Sequence, residues 1–256
     1  MKKFFAGMLV LLFALIVIRP DAAAAAPNTQ VNSSTGKVEV FVPEKDKGYF
    51  KLEVKKGNQV RHYDLFNGEN HFNLIYGNGN YILTTYQSSD GKRYKRVSSR
   101  QLTVKLKHST APYLHSTQNV TIDDATAQLA KSLSRSSYST SQQTLTTSRH
   151  ISRSIAYDHK KIAKLSSAYL PDNTDTLKMK RGICYDFASL NAGLLRSQGI
   201  PTRLVMGYAK GVDGYHAWNE VYVGGKWMVV DVTRDVTEKK VTNFRNASDY
   251  RASLYY

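Results

Sequence analysis

The sequence predicts an α+β protein in which a small all-β sandwich precedes a domain of helices and antiparallel strands. Three observations predict it. Apolar residues alternate with a period of two over residues 37–107, and they recur at helical spacing over 121–157 and again after Gly182. A Gly224-Gly225 pair then sits at the tip of a strong hairpin pattern.

The chain opens MKKFFAGMLVLLFALIVIRPDAAAAAP. Lys2 and Lys3 precede an almost wholly apolar run over 4–18, and an alanine run follows, the layout of a secretory signal peptide. Cleavage is expected near Ala25, which leaves Pro27 clear of the scissile bond. A retained anchor is the rival reading, but the run is short of the roughly 20 residues a span needs. No cysteine follows it to carry a lipid. The expected location is secreted, with association to a cell wall. Loss of residues 1–25 removes Lys2, Lys3, Arg19 and Asp21, taking the net charge from +16 to +14. So basic a surface favours anionic surroundings, wall polymers or lipid headgroups outside a cell, while a generally basic proteome explains the charge equally well. Nucleic acid fits export less, and no nucleic-acid motif is present.

Residues 26–36 are polar and read as a flexible leader. The β pattern of 37–107 follows: Phe50, Leu52 and Val54, then Tyr63 and Leu65, then Phe72, Leu74 and Tyr76, then Tyr81 and Leu83, then Leu102, Val104 and Leu106. Turn signals separate these runs at Gly57-Asn58, Asn67-Gly68, Gly77-Asn78-Gly79-Asn80 and Asp90-Gly91. Strands at this spacing predict an antiparallel sandwich. Its many tyrosines read as strand residues ahead of a ligand face. Residues 108–120 read as a linker and 121–256 as a second domain. Thr121 is placed to cap a first helix with Leu129 and Leu133 on one face. A second helix is expected over about 141–157, with Ile151 and Ile155 four apart, and 166–180 as a loop.

Cys184 is the one cysteine, so no internal disulfide can form. A lone thiol outside a cell is exposed to oxidation; it is kept either as a small buried hydrophobe or for its chemistry. After Gly182, Phe187, Leu190, Leu194 and Leu195 fall on one helical face, and Gly199 with Pro201 ends the helix. Cys184 therefore lies in a first turn, where unpaired N–H groups and the positive dipole end favour a thiolate and can donate to an oxyanion. Position alone fits an inert cysteine as well.

A base tips the balance. If Gly224 and Gly225 form a two-residue loop, Tyr222 faces Trp227 and Trp218 faces Asp231. His216, Trp218, Glu220 and Tyr222 then share a face with Trp227, Val229 and Asp231, and His216 becomes a diagonal neighbour of Asp231. A longer loop would reverse that parity. Ala217, Val221, Val223, Met228 and Val230 gather on the other face. Cysteine, histidine and aspartate so arranged suit nucleophilic catalysis: the imidazole takes the thiol proton and the carboxylate orients the imidazole. Taken singly, each residue also reads as a surface, capping or turn residue. Tyr185 and Trp218 are candidate walls of the site, aromatic packing being their plainer role. No metal or cofactor is expected, because the remaining histidines are scattered without ligand spacing.

"LKMKRGICYDFASLNAGLLRSQGIPTRLVMGY" followed by "GYHAWNEVYVGGKWMVVDVT" resembles the transglutaminase-like core of bacterial secreted proteins. The likeness rests on Gly182 and Cys184 before a helix, Gly199-Ile200-Pro201, Arg203, Val205 and Gly207, His216-Ala217-Trp218, and Lys226, Trp227 and Asp231. It covers about 120–235 and is strongest over 177–233. It implies a papain-like α+β fold with Cys184, His216 and Asp231 in the positions of the family's catalytic triad. It further implies acyl transfer from a protein or peptide amide. It leaves the reaction open, since the superfamily holds cross-linkers, peptidases, deglycosylating amidases and inactive members. A binding module that retains the triad, without catalysis, is the rival from another class.

Overall fold

The computed structural model describes residues 27–166 and 168–256, so the signal-peptide reading of residues 1–25 lies outside the described residues. The N-terminal unit has seven strands: β1 (Asn28–Asn32), β2 (Lys37–Val42), β3 (Tyr49–Lys56), β4 (Gln59–Leu65), β5 (Gly68–Asn73), β6 (Gly79–Ser88) and β7 (Lys95–Val104). They build two antiparallel sheets, in the orders β1-β2-β5 and β4-β3-β6-β7. The period of two becomes the core: Val38, Val40, Val42, Phe72 and Leu74 from one sheet pack with Phe50, Leu52, Val54, Tyr81 and Leu83 from the other.

Two connecting segments are more ordered than their composition suggests. The leader read as flexible contains β1, which pairs with β2 from Asn28↔Phe41 to Asn32↔Lys37. The Asn32 side chain accepts the N–H groups of Ser34 and Thr35, and Gly36 takes φ 75° to close the turn. Only Val31 reaches the core, which is why an edge strand exposed on alternate positions looked like a polar tail. The linker is likewise packed. A 3-10 turn spans Ala111–Leu114, and Ala111, Tyr113 and Val120 are buried. The Arg203 guanidinium lies 4.8 Å from the Tyr113 ring centroid and 3.8 Å from that of Trp227, joining this segment to the second unit.

The C-terminal unit continues with α1 (Asp124–Leu133), α2 (Thr140–Ser154), β8 (Ala156–Tyr157), α3 (His159–Ile162), α4 (Asn173–Met179), β9 (Arg181–Gly182), α5 (Cys184–Ser197), β10 (Thr202–Ala209), β11 (His216–Val223), β12 (Lys226–Val230), α6 (Val232–Thr237) and β13 (Tyr250–Tyr255). The α1 cap is Asp123 rather than Thr121, its carboxylate accepting the Thr126 N–H at 2.8 Å. α2 starts on a capping box between Ser139 and Gln142 and stops at Ser154, because Ile155 turns extended and leads into β8. The expected loop over 166–180 carries α4, seven residues with too little apolar periodicity to be seen and an Asp172 cap.

Four antiparallel strands in the order β12-β11-β10-β13 form the sheet behind α5. The Gly224-Gly225 loop has the predicted register, Val223↔Lys226 and Tyr222↔Trp227. α5 is buried on nearly all sides from Asp186 to Arg196, not on one face as its periodicity suggested. Several of its polar groups are paired internally. Asn191 donates to the Asn219 side chain at 2.9 Å, and Asn219 donates to the Ala188 carbonyl at 2.9 Å. The Arg196 guanidinium donates to the carbonyls of Thr202, His115 and Tyr256.

Candidate active site

The segment that delivers Cys184 is held from three directions. β8 and β9 pair in parallel, Tyr157 opposite Gly182, and the Asp158 N–H bonds the Gly182 carbonyl at 2.8 Å. Asp186, fully buried in the first turn of α5, accepts the Ile183 N–H at 2.9 Å and the Lys161 ammonium at 2.6 Å on the same oxygen. The Tyr169 hydroxyl donates to its other oxygen. Gly182 is required by this packing, since a Cβ there would lie 2.8 Å from the Asp186 Cβ. Cys184 is thus fixed at N1 of the helix, half-buried and free, against a small apolar cluster that includes Ala188, Met206 and Ala217.

His216 opens β11, where its Cα partner across the ladder is Gly207. That glycine sits at a register shift between β10 and β13, and a Cβ on it would come within 2.1 Å of the Arg251 carbonyl oxygen and 2.9 Å of the Trp218 ring. The His216 Nε2 meets Asp231 Oδ2 at 2.9 Å; His216 is 3 % exposed and Asp231 0 %. With Nε2 engaged, Nδ1 is the ring nitrogen left for the thiol. Asp231 is anchored in turn. It caps α6, its Oδ1 accepting the Arg234 N–H at 3.1 Å, and its Oδ2 also accepts the Tyr250 hydroxyl at 2.9 Å.

The electrostatics follow from this geometry. Burial opposes a charged imidazole, but hydrogen bonds to Asp231 and to Cys184, with the charges of both, outweigh it and hold His216 up at about 9. Burial and the Asp231 charge push the Tyr250 hydroxyl well above the usual phenol range, so it remains a donor.

The three residues singled out in the sequence, Cys184, His216 and Asp231, converge. The two aromatic candidates divide. Tyr185 lines a cavity of about 330 Å³ at the junction of the two units. Trp218 does not wall accessible space: it is 1 % exposed and packs beside the His216 ring, 6.2 Å between centroids at 25°. Its position on β11, an inner strand flanked by β12 and β10, buries it against Val205, Val229 and Tyr250. Sequence reasoning missed Tyr250, Lys161 and Tyr169, which reach the site from distant positions without a local pattern. Asp186 carried a readable signal, an acidic residue at N3 of a helix that lacks a Ser/Thr/Asp/Asn cap.

A thiol at a helix start, an imidazole on the adjacent strand and a carboxylate behind it define a papain-like arrangement on a helix and antiparallel sheet. Residues 127–232 match the Transglutaminase-like superfamily, and this region is a transglutaminase-like core. Among curated relatives, a stretch of 85 residues is 41 % identical to the Mycobacterium leprae protein ML0607, covering 27 % of this chain and 30 % of that one. A stretch of 71 residues is 37 % identical to the human kyphoscoliosis peptidase, covering 23 % of this chain and 11 % of that one. The chain therefore spans under a third of the length of either relative. Among solved structures, a proposed cysteine protease from Cytophaga hutchinsonii is similar with a TM-score of 0.45 and 17 % identity, over 89 % of this chain and 82 % of that one. The periplasmic domain of TgpA from Pseudomonas aeruginosa has a TM-score of 0.42 and 15 % identity, over 82 % and 74 %.

Proposed function

We propose that the protein is a secreted, cysteine-dependent enzyme that transfers acyl groups from protein or peptide amides, with Cys184 as nucleophile. The single observation that carries this reading is the buried His216–Asp231 pair beside the Cys184 thiol at the head of α5. Cys184 Sγ attacks the amide carbonyl carbon, and His216 takes the thiol proton and gives it to the departing amine as the C–N bond breaks. The Cys184 backbone N–H is the donor to the oxyanion. An acyl-thioester remains. Water then yields the acid, or an amine yields a new amide, with His216 taking the proton of the attacking group and the thiol being restored. Asp231 orients the imidazole and balances its charge, and Tyr250 and the α6 N-terminus fix Asp231.

The curated relative called a peptidase supports amide hydrolysis as one outcome. The signal-like N-terminus supports export, and the mature charge of +14 supports retention near anionic wall polymers. The test is incorporation of a labelled amine into a mixed pool of wall and secreted proteins, with mass spectrometry of the products. Hydrolysis adds water and cross-linking releases ammonia. Turnover is expected to vanish in Cys184→Ala; turnover unchanged in that variant refutes the nucleophile. Slow alkylation of Cys184 by iodoacetamide, equal in His216→Ala, would instead favour a non-catalytic binding module.

A further inference from the structure

The cavity beside the candidate site is built by both units. One wall is β4 of the sandwich, with Arg61, His62 and Asp64; the other includes Tyr185 and Tyr215, the residues directly after Cys184 and directly before His216. β4 is an edge strand. Its two-residue Gly57-Asn58 turn makes Lys56↔Gln59 the first hydrogen-bonded pair, so hydrogen-bonded pairs alternate from there with Val54↔Arg61 and Leu52↔Tyr63. Val60, His62 and Asp64 then direct N–H and C=O away from β3. An independent contact agrees: the Asp64 carbonyl accepts the Gln118 side-chain amide at 3.0 Å, from the side opposite β3. Among the described residues, no strand covers this edge.

Arg61 completes the feature. Its guanidinium lies 4.1 Å from the Tyr256 ring centroid and 5.1 Å from that of Tyr63, and it donates to the Tyr255 carbonyl. These contacts fix the cation at the cavity, and among the described residues no carboxylate pairs with it.

We infer that the edge of β4 at Val60 and His62, which Gln118 leaves open, is the docking strand for the acyl donor, an extended polypeptide that adds to the sheet by main-chain hydrogen bonds and presents an acidic side chain to Arg61. The inference rests on the acyl-transfer reading for its place in catalysis, and it names the substrate class: an unfolded or extended segment rather than a folded surface. Main-chain pairing supplies affinity that is tolerant of sequence, and Arg61 supplies the selection. The cavity then leads the strand toward the residues flanking Cys184 and His216, so the sandwich is part of the substrate site.

The test is binding of fluorescein-labelled, dephosphorylated β-casein, read by fluorescence anisotropy on the full Cys184→Ala protein, where nothing is turned over. His62→Pro removes an outward N–H without breaking a β3–β4 bond, because proline is accepted on a strand edge facing away from its partner. It is expected to weaken binding about tenfold, the worth of roughly one hydrogen bond. Arg61→Gln is expected to weaken it by a similar factor. Arg100→Gln, which removes a charge on β7 at the opposite edge, is expected to leave it unchanged. Circular dichroism melts confirm that each variant is folded. Absence of casein binding, or equal loss in all three variants, overturns the inference. Binding that depends on His62 and Arg61 in a protein without amide turnover would uphold the docking edge and overturn the acyl-transfer reading instead.

Discussion

Replacing Asp231 by Asn removes the charge that governs His216. Asparagine keeps the volume, but its one side-chain oxygen can cap α6 by accepting the Arg234 N–H or accept from His216 and Tyr250, not both, because Asp231 uses a different oxygen for each. With that acceptor it loses the negative charge beside an imidazole that is 3 % exposed. His216 stands at about 9 in the folded protein, against an ordinary 6.5, although burial alone drives it down. The difference is worth about 3 kcal/mol. Because the folded value is the higher one, this contribution to stability is complete below pH 6.5 and fades as the pH rises through 9. In Asp231→Asn the burial penalty meets much weaker opposition, and the imidazole is expected to titrate at or below its ordinary value. Two measurements check this. NMR titration of the His216 ring protons between pH 5 and 10 reads the midpoint directly. Urea unfolding at pH 6 and pH 9.5 reads the linkage, with the unmodified protein losing about 3 kcal/mol more than the variant across that interval. An imidazole that titrates at the same pH in both proteins would refute the electrostatic account of the site.

Two further outcomes follow from the support beneath Cys184. Lys161→Met leaves the buried Asp186 carboxylate without its cation and should cost about 2–3 kcal/mol in urea unfolding, at the low side for a buried pair because Lys161 is 30 % exposed; an unchanged midpoint contradicts it. Gly182→Ala forces a Cβ against Asp186 and should cost about 1–3 kcal/mol, with Cys184 alkylation by iodoacetamide changing in rate because the helix start must shift. Wild-type stability and alkylation in that variant would show that the segment has room to spare.

Much of the architecture was legible in local pattern. Alternation over 37–107 specified strands because each strand has one face on a core and one in water, and the Gly224-Gly225 tip specified register because a two-residue turn admits few geometries. Periodicity was less informative where that asymmetry is missing. α5 is buried all round, so its stripe named only part of its contacts, and β1 places a single side chain, Val31, in the core, so it resembled a polar tail. α4 is too short for a period to emerge, and the packed segment around Tyr113 owes its order to Arg203 and Trp227, far along the chain.

The same division runs through the site. The sequence by itself determined that a lone cysteine begins a helix and that His216 and Asp231 share one side of a hairpin, since helix starts and strand parity are properties of neighbouring residues. Only the tertiary structure decided that Asp231 is buried and held by Tyr250, that Lys161 and Tyr169 meet at Asp186, that Trp218 is packed away while Tyr185 faces a cavity, and that β4 of the other unit forms that cavity's wall. These depend on which surfaces exclude water together. Contacts between residues 17 to 194 positions apart leave no period or spacing in the chain from which they could be read.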